Sequence, residues 1–238
     1  MKNLIILMSL VLFTIGCNTS PPTETDLYIY LDFTEGQDYS HQITEDLDSY
    51  AELLKVGENG SPNFGKVKIF PLYDLSAARS KTVKLKVGKS EFEANKFLRQ
   101  KEIDKFKTQL STALMEINEQ YTGKELNSSH LIKPICKGMQ KLNKSDANNK
   151  IVLIYSDMLE NSTIANFHGK SNNQKDWQKR IDATCDPEDV SDLDIFVVYP
   201  IDKKNDGKIA KAAEFWTDYF GSKGADEDTF RFDTEIDL

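Results

Sequence analysis

The sequence lacks an apolar run long enough to cross a membrane as a helix. Its longest run extends from Leu4 to Ile15, about twelve residues, whereas a spanning helix needs roughly 20. Positive charge is also scarce, because 30 lysines and arginines face 38 acidic residues and leave a net charge of −8. Nucleic-acid-binding domains need a basic surface, so we do not expect this acidic chain to bind nucleic acid.

Complete catalytic motifs are absent as well. The three histidines, His41, His130 and His168, are scattered along the chain, and no two have the spacing of a zinc site. The chain contains no G-x-S-x-G sequence of the kind that presents a nucleophilic serine. We therefore do not expect the protein to be an enzyme.

Cysteine is rare, and the first of three cysteines stands at the end of a predicted targeting segment. Lys2, the apolar run and the final Gly16-Cys17 form the pattern of a secretory signal peptide. This end resembles the lipobox of bacterial lipoproteins, although Thr14 stands where that motif usually has leucine. The resemblance implies a signal peptide at 1–16, lipid on Cys17 and a flexible tether at 17–25.

The same resemblance implies a location. Asn18 follows the cysteine, and by the sorting rule of some diderm bacteria this favours the outer membrane over the inner one. We expect an exported, lipid-anchored protein whose domain faces the periplasm.

The other two cysteines leave two alternatives open. Cys136 and Cys185 are an even pair in a predicted exported protein, where disulfides form and persist. They form either a disulfide or two buried free thiols, and sequence spacing does not decide between these.

Residues 26–238 are long enough for one domain with a full core. Short apolar runs predict strands, and apolar residues at helical spacing predict helices. The predicted strands are Leu27–Asp32, Lys66–Phe70, Thr82–Val87, Ile151–Tyr155, Asp194–Tyr199 and Phe230–Phe232. The predicted helices are Ser40–Val56, Glu91–Tyr121, Ile132–Leu142 and a segment around Ile209–Phe220.

Alternating strands and helices predict an α/β fold. We expect a doubly wound, mostly parallel central sheet with helices on both faces. The lysines that alternate with apolar residues in Thr82–Val87 favour an edge strand, which is the antiparallel one. In such sheets ligands bind at the carboxyl ends of the strands, where Asp32 and Asp157 fall.

The residues at these strand ends resemble a known family. Asp32-Phe33-Thr34-Glu35-Gly36 is similar to the Asp-x-Ser/Thr-x-Ser motif of von Willebrand factor A domains, and Asp157 to that family's fourth-strand aspartate. Ser129, or its neighbour Ser128, stands where the family has a third hydroxyl residue. The resemblance implies a Mg²⁺ or Mn²⁺ site formed by Asp32, Thr34, Ser129 and Asp157.

One position departs from the family motif. Gly36 replaces its last serine and has no side chain that could bind a metal. Ser40 is the nearest substitute along the chain. The site is therefore incomplete, and three alternatives follow: it binds metal weakly, it uses Ser40 or another water as a ligand, or it is an inactive remnant.

Three hypotheses for the function follow. The first is a membrane-anchored module that binds another envelope protein through this site. The second is a structural envelope lipoprotein in which the metal site does not work. The third is a metal-dependent phosphoester hydrolase that uses Asp32 and Asp157.

Overall fold

The computed structural model describes residues 21–56, 61–72, 80–88, 93–124, 129–169, 174–201 and 204–236. The predicted signal peptide, Cys17 and Ser128 lie outside these residues. In the part of the chain that is described, no helix combines the length and the hydropathy of a membrane-spanning segment.

The described chain forms six strands and six helices. The strands are β1 (Glu24–Asp32), β2 (Phe64–Leu72), β3 (Lys81–Leu85), β4 (Asn149–Tyr155), β5 (Asp194–Val198) and β6 (Phe230–Asp233). The helices are α1 (Ser40–Glu45), α2 (Leu47–Leu53), α3 (Glu93–Tyr121), α4 (Ile132–Asn143), α5 (Gln174–Thr184) and α6 (Asp206–Gly221).

All six strands belong to one sheet with the order β3-β2-β1-β4-β5-β6. Only β2 and β3 pair in antiparallel fashion, and the other neighbours are parallel. The predicted fold class, including the antiparallel edge strand, is confirmed. The strand order reverses between β1 and β4, so the carboxyl ends of these two strands flank the point where a ligand site is expected.

Side chains of β1 alternate between two hydrophobic cores, one on each face of the sheet. Leu27, Ile29 and Leu31 pack on one face with α1, α2 and α3, whereas Tyr28 and Tyr30 pack on the other with α4, α5 and α6. This period-two alternation is what a strand covered on both faces requires. Both faces of β1 are therefore closed, and only the ends of the strand reach the surface.

Two predicted elements differ from the structure. The predicted helix Ser40–Val56 is divided at Asp46, whose carboxylate accepts a hydrogen bond of 2.5 Å from the Tyr155 hydroxyl. Strand β3 ends at Leu85, and Val87, predicted on the same buried face, is 48 % exposed. Val87 lies beyond the last paired residue of β3, so it no longer follows the alternation that buries Val83 and Leu85 in the core.

Cys136 and Cys185 form a disulfide, which was the first of the two alternatives. It joins α4 to the residue that follows α5, so both helices are held on the same face of the sheet. Both cysteines are buried.

Candidate functional site

The candidate site lies at the carboxyl edge of the sheet, between the ends of β1 and β4. Two adjoining shallow recesses there share Thr34, Glu35 and Asp157 in their walls. Asp32 lines one recess and Ser129 the other. The structure thus brings together the four residues predicted as metal ligands.

Asp32 is buried at the site, with 5 % of its surface exposed. One carboxylate oxygen accepts hydrogen bonds from the Thr34 amide at 3.0 Å and the Thr34 hydroxyl at 2.7 Å. The other oxygen accepts one from the Ser156 hydroxyl at 2.6 Å. Burial raises the pKa of Asp32 above its ordinary value, and the hydrogen bonds from Ser156 and Thr34 oppose that rise.

Tyr39 ties the two strand ends together. Its hydroxyl lies 2.5 Å from the carbonyl oxygen of Asp32 and 3.0 Å from that of Tyr155, the last residues of β1 and β4. Its own amide donates to the Asn118 side chain of α3 at 2.8 Å. The phenol links the two strand ends without contributing charge, and burial raises its pKa well above the ordinary value.

Ser129 and Asp157 are both engaged in local hydrogen bonds. The Ser129 hydroxyl donates to the Leu159 carbonyl oxygen and accepts from the Asn161 amide, each at 2.9 Å. Asp157 accepts from the Leu159 amide at 2.9 Å. These bonds fix the loop after β4, and they commit the Ser129 hydroxyl to that loop.

Backbone conformation explains why glycine replaces the last serine of the motif. Gly36 has φ of 70°, a left-handed conformation that non-glycine residues adopt at a cost. Its amide donates to the Phe33 carbonyl oxygen at 3.0 Å, and its own carbonyl oxygen accepts from the Gly123 amide at 3.1 Å. Ser40, the possible substitute, begins α1 and lines neither recess.

The donor set fits a hard cation that keeps part of its water. The side-chain donors in the recess walls are carboxylate, hydroxyl and amide oxygens, with His168 as the exception, and no lysine or arginine belongs to these walls. Thr34 directs its hydroxyl proton to Asp32, which leaves oxygen lone pairs for a ligand. Among the described residues no three acids, histidines or cysteines converge to hold a metal by themselves. Mg²⁺, which is often bound by one or two carboxylates and several waters, is the metal that suits such a set.

Three residues of the site were not predicted as functional. Ser156 and Tyr39 hold Asp32, and Glu160 caps α4 by accepting from the Leu131 and Ile132 amides at 2.7 and 3.2 Å. Glu160 is fully buried, and burial raises its pKa. Ser156 could have been predicted from the sequence because it stands next to Asp157, a predicted ligand. The capping role of Glu160 could not, because it depends on a contact between segments that are distant in sequence.

No family model matches the chain, and no curated protein matches it either. Solved structures do resemble it. The PilB minor pilin of Streptococcus sanguinis (a D319A mutant) has a TM-score of 0.50 and 10 % identity, with 92 % of this chain and 59 % of the pilin covered. This chain therefore spans less than two thirds of the pilin.

Two further solved structures match the chain at lower scores. The manganese-loaded TRAP protein of Plasmodium vivax has a TM-score of 0.38 and 14 % identity, with 89 % of this chain and 69 % of that one covered. An aerotolerance-related membrane protein of Bacteroides fragilis has a TM-score of 0.34 and 11 % identity, with 90 % and 92 % covered. At such identities the likeness concerns the fold alone. The observed strand order, with its antiparallel edge strand, agrees with the von Willebrand factor A-like fold expected from the motif.

Proposed function

We propose that this protein is a membrane-anchored lipoprotein whose von Willebrand A-like domain binds another protein of the cell envelope at the carboxyl edge of its sheet. The observation that carries the proposal is the cluster of Asp32, Thr34 and Asp157 around an open recess at the point where the strand order reverses. Buried hydrogen bonds hold this cluster in place before any partner arrives, which lowers the ordering cost of binding.

A divalent cation gives the recess its selectivity in this proposal. Thr34 and Asp157 would hold Mg²⁺ or Mn²⁺, with Asp32 acting through its hydrogen bonds to Thr34. The bound ion would supply a positive charge that attracts an acidic group of the partner, in an otherwise acidic surface that would repel it. Glu35, exposed on the rim of both recesses, lies beside the expected contact.

A second candidate is the same fold kept as a structural lipoprotein with no working metal site. Two observations favour it. The Ser129 hydroxyl is already hydrogen-bonded to Leu159 and Asn161, and Gly36 has no side chain. The two candidates differ in whether partner binding at the carboxyl edge needs a divalent cation.

Site-specific cross-linking in the envelope tests the proposal. A photoreactive residue in place of Glu35 should give one discrete adduct, and chelation of divalent cations should remove that adduct. The matched control is Lys144, an exposed residue just beyond α4 at the opposite edge of the sheet. An adduct that survives chelation would favour a metal-independent surface, and equal adducts from both positions would contradict a binding site at the carboxyl edge.

A further inference from the structure

The amino edge of the sheet, opposite the candidate site, carries an exposed apolar patch. Val87, Phe97 and Leu98 are 48, 64 and 58 % exposed, and they are three of the four large exposed apolar side chains in the described part of the chain. The fourth, Ile201, lies beyond the end of β5 at the carboxyl edge. Exposed apolar side chains that lie together at one end of a domain indicate a surface that binds a partner.

Hydrogen bonds place this patch beside the point where the tether enters the domain. Arg99, next to Leu98 and almost fully buried, donates to the carbonyl oxygens of Lys86 at 2.8 Å, Ser61 at 2.8 Å and Asn63 at 2.5 Å. The Asn63 side chain in turn accepts from the amide of Thr23, one residue before β1. The first turns of α3, the end of β3 and the entry of the chain are therefore one connected unit.

Helix α3 projects past this edge of the sheet. Its 29 residues span about 44 Å, whereas the nine residues of β1 span about 30 Å. Its far end meets the carboxyl edge, where the Gly123 amide donates to Gly36, and Arg99 is level with residues 61–63, which precede β2. Residues 93–98 thus extend about 9 Å beyond the sheet on the side of the tether.

Among the side chains that are described, exposed lysines outnumber exposed acids around the patch. Lys84, Lys86, Lys96 and Lys101 are all exposed there, although the net charge of the protein is −8. The Lys101 ammonium lies 4.5 Å from the centre of the Phe97 ring. Of the acids nearby on α3, Glu102 is paired with Arg99 at 3.0 Å, and Asp104 accepts from the Gln100 side chain at 2.9 Å. Apolar side chains flanked by lysines match an anionic lipid surface, in which the apolar side chains enter the headgroup layer and the lysines contact phosphates.

We infer that the face formed by Val87, Phe97, Leu98 and the surrounding lysines docks on the anionic phospholipid surface to which the chain is anchored. Residues 17–23 span at most about 25 Å, so a lipid on Cys17 would keep this face close to the bilayer. Docking would point the carboxyl edge, and with it the candidate site, away from the membrane. The inference rests on the proposed anchor at Cys17 but not on the proposed metal or partner.

Coupling to vesicles tests docking without requiring biological acylation. With Cys136 and Cys185 in a disulfide, Cys17 is the single free thiol of the mature chain and can be joined to a maleimide lipid. The vesicles are an equal mixture of phosphatidylcholine and phosphatidylglycerol that contains brominated lipid, which quenches tryptophan. The probe is Phe97→Trp and the matched control is Ile201→Trp, each read against the parent, whose Trp177 and Trp216 are buried.

We expect quenching about threefold or more greater at position 97 than at 201, because the docked face would enter the lipid by roughly 5–10 Å. Lys84→Glu/Lys86→Glu, or vesicles of phosphatidylcholine alone, should reduce the difference. Equal quenching at both positions would overturn the inference. So would self-association of the uncoupled protein that Phe97→Ser abolishes, since the face would then join two copies. Acyl chains on Cys17, measured by mass spectrometry, test the anchor separately, and neither readout involves the metal or the partner.

Discussion

Removing the Cys136–Cys185 disulfide should destabilise the domain substantially. The bridge closes a loop with a sequence separation of 49 residues. The loop-entropy relation for a closed loop of about 50 residues gives about 4 kcal/mol at 25 °C, and native disulfides typically contribute about 2–4 kcal/mol. Because α4 and α5 also pack through their apolar faces, the fold itself should survive the loss. We expect a lower free energy of unfolding by about 2–4 kcal/mol and a melting temperature lower by about 10 °C.

The variant for this experiment is Cys136→Ala/Cys185→Ala in the mature chain, and the matched control is Cys17→Ala. Urea denaturation followed by circular dichroism gives the free energy of unfolding, and calorimetry gives the melting temperature. The control should unfold like the wild type. A double variant within about 1 kcal/mol of the wild type would refute the reasoning, because a closed loop of this length would then constrain the unfolded chain far less than the relation requires.

Two further predictions concern the floor of the site. Burial raises the pKa of Asp32 in the folded protein above 3.8, the ordinary value that applies to the unfolded chain. This carboxyl group therefore stabilises the folded state most at pH values below 3.8, and the contribution is lost as the pH rises through the pKa of the folded state. With a chelator present, the free energy of unfolding of the wild type should therefore fall relative to that of Asp32→Asn between acidic and mildly alkaline pH. The same difference between the two proteins at both pH values, measured by urea denaturation, would contradict this. Tyr39→Phe removes the hydroxyl shared by the Asp32 and Tyr155 carbonyl oxygens and should cost about 1–3 kcal/mol in urea denaturation. A loss under about 0.5 kcal/mol would show that Tyr39 does not hold the two strands.

Hydrophobic pattern predicted most of the fold because it follows burial. The runs at Leu27–Asp32 and Ile151–Tyr155 became central strands, and the lysine-bearing alternation at Thr82–Val87 became the antiparallel edge. Helix ends were harder, since they depend on contacts between distant segments. The break at Asp46 coincides with a hydrogen bond from Tyr155, which lies 109 residues further along the chain.

The candidate site shows the same division. Strand ends and element order were enough to bring Asp32, Thr34, Ser129 and Asp157 to one edge. How the hydroxyls are used could not be predicted, because Ser129 finds its partners in a loop 30 residues away. The positive φ of Gly36 gives a physical reason for the missing serine that the motif alone does not contain.

Titration of the mature chain with Mg²⁺ and Mn²⁺ by calorimetry tests most directly whether the cluster is a working site. Thr34→Val removes one hydroxyl with little change of shape, and Asp157→Asn keeps the acceptor for the Leu159 amide while removing charge. Asp189→Asn is the matched control, since Asp189 accepts from the Ser191 amide in the same geometry at 2.9 Å. We predict saturable binding in wild type and control that both site variants lose. No binding in the wild type, or unchanged binding in Thr34→Val, would contradict a metal-dependent site at this edge.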